Sequence, residues 1–335
     1  MYRAAGISAL TAASTRVELT RDNEWYFRNI FNDDFQGQFL ANYAAKALRP
    51  QAVWVLHDEG AYGVDLARVF VQTAAEIGLE IEQQRSFPAL GQERDRALEQ
   101  IVGALRQQAG DALIFLAAQP LAGVELVRRI RDAGLNNQLL GVDSFAVESF
   151  RQGFADLPKE RDNPGYYTNG LYATVPLLFD SANERANDFS QAFEARYAEP
   201  PNWGAAYAYD AAALVVEALR RAGIEGAAAT RSADRTALRD YLASLTEASR
   251  GVAEVTGLNY FDENGDALKA AAVGVYKNRR LIAAPIQFQM LSDLGEAARL
   301  DASFDMGRVV AADYNYLYQT NVVHVGMRGV ELSGT

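Results

Sequence analysis

Four short polar clusters hold the residues of this chain best placed to do chemistry. They are Thr11-Ala12-Ala13-Ser14-Thr15, Asp58-Glu59-Gly60-Ala61-Tyr62, Gln119-Pro120 and Asp143-Ser144. The groups they offer bind rather than react. Ala13, Ser14 and Thr15 supply accessible backbone and hydroxyls, Tyr62 a pocket wall, Gln119 an amide, and Asp143 a carboxylate poised to meet an ammonium group. Each also has a plainer reading. Residues 11–15 read equally as a turn with polar caps, Tyr62 as packing, and Asp143 as the cap of a helix beginning near Ala146. Their shared context favours the binding reading, because each cluster follows an apolar run that reads as a strand. In an open parallel α/β sheet the loops at the carboxyl ends of strands share one edge and form the ligand crevice.

The elements that position these loops alternate along most of the chain. Strands are expected over residues 7–10 and 51–57. A helix is expected over 63–77, with Leu66, Val69, Phe70, Ala74 and Ile77 at helical spacing and Gly78 ending it. A strand over 79–83, a helix over 94–108, a strand over 111–117, a helix over 121–133 and a strand over 138–141 follow. This alternation predicts a parallel sheet covered on both faces. Beyond residue 150 the rhythm changes to a charged loop over 159–165 and a strand over 170–175. Helices over 187–197, 205–222 and near 236–245 come next, then a hairpin-like pair over 259–275 around Asn264-Gly265. Residues 291–335 read as strands or a linker outside the main body.

Composition narrows the function. The 335 residues suffice for two lobes with separate cores. Acidic residues outnumber basic ones 43 to 32, a formal charge of −11, which argues against a nucleic-acid binder. Arg128, Arg129 and Arg131 read as one solvated helix face. The absence of cysteine excludes disulfides and thiolate chemistry. No apolar stretch reaches the length of a membrane span, and the first six residues are too short and polar for a secretory signal, so any export signal lies upstream or is absent. His57 and His324 alone do not make a metal cluster or a catalytic triad, and His57 reads as structural. Residues 262–266 resemble a calcium loop at first sight, but the glycine is one place early and Val273 stands where the closing Glu belongs. They read as a turn. No cofactor is expected.

Several segments, in order, resemble the type I periplasmic binding proteins, specifically the branched-chain amino-acid receptors of ABC transporters. Gly6-Ile7, residues 11–20, Phe27-Arg28 and Asp34-Phe35-Gln36-Gly37 carry the first part of the likeness. Residues 55–58, Tyr62-Gly63, the stretch from Arg128 to Leu135, Tyr207, Tyr209-Asp210-Ala211 and residues 259–266 carry the rest, so that it covers about residues 1–289. The resemblance implies that the Ala13 carbonyl accepts a ligand ammonium, that Thr15 binds carboxylate and ammonium, that Asp143 is the acidic partner of the ammonium, and that Tyr62 is an aromatic wall. It also implies that further strands and a serine-bearing loop of the first lobe precede this sequence. By the same resemblance Gln119-Pro120 stands where several family members have aromatic residues, which implies a more polar side-chain pocket.

The expectation is an α/β protein of two Rossmann-like lobes, the first incomplete, with a C-terminal extension. Lobe one takes residues 1–30 and 171–257, lobe two takes 31–170 and 258–290, and 291–335 form an extension or linker. The expected function is extracytoplasmic capture of a small amino-acid-like ligand by cleft closure, in the periplasm or outside the cell. The expected partner is an ABC permease or a fused membrane module, with no nucleic acid and no membrane insertion by this segment. Two alternatives stand beside it. One is the sensing ectodomain of a membrane receptor or channel, since residues 318–326 faintly resemble the first strand of pentameric ligand-gated channel ectodomains. The other is an α/β enzyme.

Overall fold

The computed structural model describes residues 2–290 and 297–300. A helical turn, α1 (Tyr2–Ala5), precedes β1 (Ala9–Thr11), which pairs in parallel with β2 (Tyr26–Arg28). Then α2 (Asp33–Tyr43), continued by a π turn over Ala44–Leu48, opens a run of alternating units: β3 (Val53–Asp58), α3 (Ala61–Ile77), β4 (Ile81–Phe87), α4 (Gln92–Gln108), β5 (Leu113–Ala117), α5 (Pro120–Asp132) and β6 (Leu139–Gly141). Two short helices, α6 (Glu148–Gln152) and α7 (Pro158–Asp162), lead to β7 (Leu171–Val175). Next come α8 (Glu184–Tyr197), α9 (Trp203–Arg221), α10 (Arg231–Ala243), and the hairpin of β8 (Val252–Glu254) with β9 (Gly257–Asn259). The chain returns through β10 (Ala272–Lys277) and β11 (Arg280–Ala283), followed by the pair β12 (Gln287–Met290) and β13 (Ala297–Leu300). Of the segment expected over residues 291–335, all but 297–300 lies outside the described residues, the 318–326 likeness included.

The main sheet has seven strands in the order β11-β10-β7-β6-β5-β3-β4. From β4 to β7 every pairing is parallel. Strands β3 and β5 are buried at every residue, which is why they read as unbroken apolar runs: helices cover both of their faces. Helices α2 and α3 cross at Gly37, where a Cβ would stand 2.8 Å from the Val69 Cβ, so only glycine permits the approach. The sheet departs from the all-parallel expectation at one flank, where β10 runs antiparallel to both β7 and β11. The β10–β11 turn is Asn278-Arg279, with φ of 49° and 66° at the two residues. Positive φ at both central positions is the turn whose twist suits a two-residue hairpin. Asn264-Gly265 does turn the chain, with Phe261 bridging Ala267, but its second arm continues into β10 instead of pairing back on 259.

Two cores are distinct. The larger surrounds the seven-stranded sheet; the smaller gathers Phe27, Leu214, Ala218, Leu242, Leu245, Phe261 and Ala267. Strand β7, grouped by sequence with lobe one, is hydrogen-bonded between β6 and β10 of the main sheet. Phe261 and Ala267, grouped with lobe two, pack in the smaller core. The arginine face of α5 is also not simply solvated. Arg131 is buried and its Nη1 donates to the carbonyls of Leu135 and Asn137, while Arg128 and Arg129 are tied to Glu125, Asp132 and Asp95.

Candidate binding site

The loops after β3, β5 and β6 leave adjacent parallel strands and share one edge of the sheet. They face the loop that follows β1, and between them lies a cavity of about 460 Å³. One wall is Ala13, Ser14, Thr15 and Arg16 with Leu19 and Trp203. The other is Tyr62, Gln119, Pro120, Asp143, Ser144 and Val147, and Asp33 lies at the start of α2. The structure thus places Ala13, Ser14, Thr15, Tyr62, Gln119 and Asp143 around one space of a size suited to a small molecule. Larger hollows of about 590 and 620 Å³ exist elsewhere, but they do not collect these strand ends.

Each wall is braced from behind. Asp58 ends β3 fully buried. Its Oδ1 accepts the Gly60 amide at 2.9 Å and its Oδ2 the Gln119 amide at 2.7 Å, which locks two neighbouring loops together. A Cβ on Gly63 would come within 2.6 Å of that carboxylate and 2.7 Å of the Ala117 carbonyl, so Tyr62 is followed by the one residue that fits. His57 is structural: its Nδ1 lies 2.9 Å from the Asp58 carbonyl. Ser144 donates to the Ala118 carbonyl at 2.6 Å. Across the cavity, Thr11 Oγ1 accepts the Ser14 amide at 3.1 Å. Arg28, with no exposed surface, donates to the carbonyls of Ser14 and Arg16 and forms an ion pair with Asp266 at 2.7 Å. Residues 262–266, which first suggested calcium, therefore serve as a turn: Asp262 Oδ1 accepts the amides of Asn264 and Asp266, and Asp266 anchors Arg28. Asp210, of the Tyr-Asp-Ala segment, is also buried and accepts the amides of Val255 and Thr256, fastening α9 to the β8–β9 turn.

Asp143 does not cap a helix. It opens a short 3-10 turn over Asp143–Ala146, and its Oδ1 accepts both the Tyr62 hydroxyl and Gln36 Nε2. Gln36 Oε1 in return accepts the Asp143 amide and the Thr174 hydroxyl, each at 3.0 Å. Burial pushes the Asp143 carboxyl above the usual carboxylate range, opposed by those two donors. Burial and the neighbouring Asp143 charge also push the Tyr62 phenol well above its usual value, so Tyr62 remains a donor. The side-chain donors to Asp143, Tyr62 and Gln36, are neutral and both meet Oδ1, and among the described residues no cation pairs with it.

Sequence reasoning missed Asp33, Gln36 and Trp203. Gln36 was seen only as part of a family segment. The signal that could have found Asp33 is Asn32, whose side chain accepts the Phe35 amide and starts α2 with Asp33 and Asp34 in its first turn. Trp203 is the first residue of α9, which begins two residues earlier than periodicity suggested because Asn202 caps it. Its indole is buried against the cavity and Nε1 has no hydrogen-bond partner. Trp203 is therefore expected to report occupancy. A ligand that enters should change the intrinsic fluorescence, and Trp203→Phe should abolish most of that change. Trp54, by contrast, is sealed in the core with its Nε1 on Glu82.

Fold and site together define a class: an α/β protein whose strand-end loops enclose a small-molecule cavity. The chain belongs to the periplasmic binding protein family, which matches residues 1–279. A leucine-, isoleucine-, valine-, threonine- and alanine-binding protein of Pseudomonas aeruginosa is 23% identical over 224 residues, covering 67% of this chain and 56% of that protein. The chain thus spans about half the length of the curated relatives it matches. A leucine-binding protein structure from Thermotoga maritima superposes with a TM-score of 0.71 at 21% identity, over 90% of this chain and 75% of that one. A branched-chain amino-acid transporter substrate-binding protein from Streptococcus pneumoniae, in complex with isoleucine, gives 0.69 at 23% identity, over 89% and 74%. The fold is accordingly that of the type I periplasmic binding proteins.

Proposed function

We propose that this chain is a solute receptor whose cavity takes the ammonium end of a small amino-acid-like zwitterion. The observation that carries the reading is Asp143, a carboxylate only 4% exposed, lining the cavity with neutral partners alone. A buried charge without a counter-ion is costly unless something pairs it, and a ligand ammonium is that partner. The unpartnered indole N–H of Trp203 in the same cavity asks for an acceptor, which the carboxylate of a zwitterion supplies. The relatives' amino-acid ligands agree with this chemistry.

Capture proceeds by closure. The Ala13–Arg16 loop rests on Arg28 and Asp266 on one side of the cavity, and the Tyr62, Gln119 and Asp143 loops rest on the seven-stranded sheet on the other. A ligand that touches both walls only when they approach shifts the population toward the closed form. The closed receptor delivers its solute to an ABC permease outside the cytoplasm. The chemistry is binding, not turnover: the polar groups gathered here are carboxylates, hydroxyls, an amide, the Arg16 guanidinium and the Trp203 indole, none of them an activated nucleophile.

The test is a thermal-shift panel of aliphatic amino acids, their amides and small carboxylates. A ligand that binds only the native state stabilises it by about 2.7 kcal/mol at a hundredfold excess over Kd. L-Leucine, L-isoleucine, L-valine, L-threonine or L-alanine should raise Tm, and the matching 2-oxo acids, which lack the ammonium, should not. A rise with the oxo acids alone would overturn the reading.

A further inference from the structure

A second carboxylate lines the same cavity, and the binding of a simple amino acid does not by itself call for it. Asp33 is 2% exposed, and its Oδ1 has no hydrogen-bond partner. Asp34, its neighbour in the first turn of α2, is the helix-dipole acid one expects: it lies toward solvent beside Arg21 and Arg68. A dipole contribution needs no burial, so Asp33 is buried for another reason. Buried polar atoms are nearly always satisfied, and an exception at the wall of a cavity marks a place for a ligand group.

We propose that Asp33 is a second contact for the ligand's cationic nitrogen, and that the arriving ligand drives its ionisation to completion. The inference rests on the receptor reading above and deepens it: the site selects an unsubstituted primary ammonium, whose three N–H donors serve Asp143, Asp33 and one further acceptor.

In the empty cavity two carboxylates line one site, and the charge of each disfavours that of the other. Tyr62 and Gln36 both donate to Asp143 and favour its charged form against burial. A charge on Asp143 in turn favours the protonated form of Asp33. Its carboxyl is pushed up to about 7, first by burial and then by the charge on Asp143. The other groups facing it do not reverse this. The Thr15 hydroxyl and Arg28, which favour the charged form, act against the larger effects of burial and Asp143, and Asp65 on α3 adds to the upward push. Tyr62 is a neutral phenol. An ammonium placed between the two carboxylates reverses the balance, since an adjacent positive charge favours the carboxylate. The proton then leaves to solvent: the O–H bond of Asp33 breaks, and the ligand nitrogen keeps all its hydrogens.

Binding is therefore linked to proton release. About half a proton per ligand should appear at pH 7, where Asp33 is half ionised, and more below it. Kd should fall by up to about tenfold for each pH unit gained between roughly pH 5 and 7, and level off above. The experiment has two parts. First, the empty 335-residue chain, labelled with ¹³C at aspartate carboxyls, is titrated by NMR, with Asp33→Asn assigning the resonance. Secondly, L-leucine, L-threonine and L-alanine are titrated calorimetrically in buffers of different ionisation enthalpy, using wild type, Asp33→Asn and the control Asp34→Asn. A carboxyl titrating near 7, with buffer-dependent heat lost in Asp33→Asn and kept in Asp34→Asn, supports the proposal. An Asp33 carboxyl that titrates near 4 overturns it whether or not an amino acid binds. Heat that does not depend on buffer overturns it while leaving the receptor reading standing. No heat with any of these amino acids at any pH removes the receptor reading and this proposal with it.

Discussion

Replacing Asp266 with alanine is expected to cost about 3–5 kcal/mol of folding stability, the range for removing one partner of a buried ion pair. Arg28 has no exposed surface, and Asp266 is its counter-ion through both Nε and Nη2. Without Asp266 the guanidinium retains only the carbonyls of Ser14 and Arg16 and the Thr20 hydroxyl, none of which balances its charge. The effect should reach the cavity, because those two carbonyls belong to the loop that carries Thr15. Ligand affinity should therefore fall together with stability. Urea unfolding measures the first. The buried pair should also be nearly indifferent to salt, since screening acts weakly on groups shut away from solvent. A loss below about 1 kcal/mol, the range of exposed pairs, would mean that Arg28 finds another partner and that the 262–266 turn does not hold the ligand loop.

The order of strands and the edge on which the cavity opens were legible because periodicity is strong there. Fully buried β3 and β5 show as apolar runs, and the loops after them are polar by contrast. What the sequence hid depends on contacts distant in the chain. Asn32 marks the start of the helix but does not say which of its two acids is buried; Asp33 is buried and Asp34 half-buried, with Asp143 and Thr15 lying against Asp33. Strand β7 looked like the start of a new lobe because a loop and two short helices separate it from β6, yet its hydrogen bonds are to β6 and β10. Arg131 looked solvated because its neighbours are basic, while its partners are carbonyls at 135 and 137. The turn at Asn278-Arg279 lacks the glycine that flags such turns, whereas Asn264-Gly265 carries it without closing a paired hairpin. Asp266 shows the same limit from the other side: its segment reads as a turn, which it is, but nothing near it in sequence points to its partner, an arginine far back along the chain.

Asp143→Asn is expected to weaken amino-acid binding by about 30- to 4,000-fold, the equivalent of the roughly 2–5 kcal/mol lost when one partner of a buried charged hydrogen bond is removed. The substitution keeps the shape. The asparagine Oδ1 can still accept the Tyr62 hydroxyl and Gln36 Nε2, so the wall behind the cavity is preserved. What changes is the atom that replaces Oδ2, which now presents N–H groups to the ligand ammonium instead of a lone pair. Stability should move the other way. A carboxyl whose pKa is raised in the folded state binds its proton more tightly there than in the unfolded chain. That preference stabilises the fold below the unfolded pKa and is lost as pH rises. Asparagine removes the loss, so the empty variant should melt at or above the wild-type temperature at neutral pH. The pairing of a large fall in affinity with an unchanged or higher Tm separates a binding residue from a structural one. A variant that binds L-leucine, L-threonine and L-alanine as tightly as the wild type would remove Asp143 from the site, while a variant that melts lower would show that Tyr62 and Gln36 need the charge to hold the loop. The opposite signs expected for Asp266 and Asp143 follow from their surroundings. Asp266 meets a fixed cation supplied by the fold, whereas Asp143 is kept waiting for one supplied by the ligand.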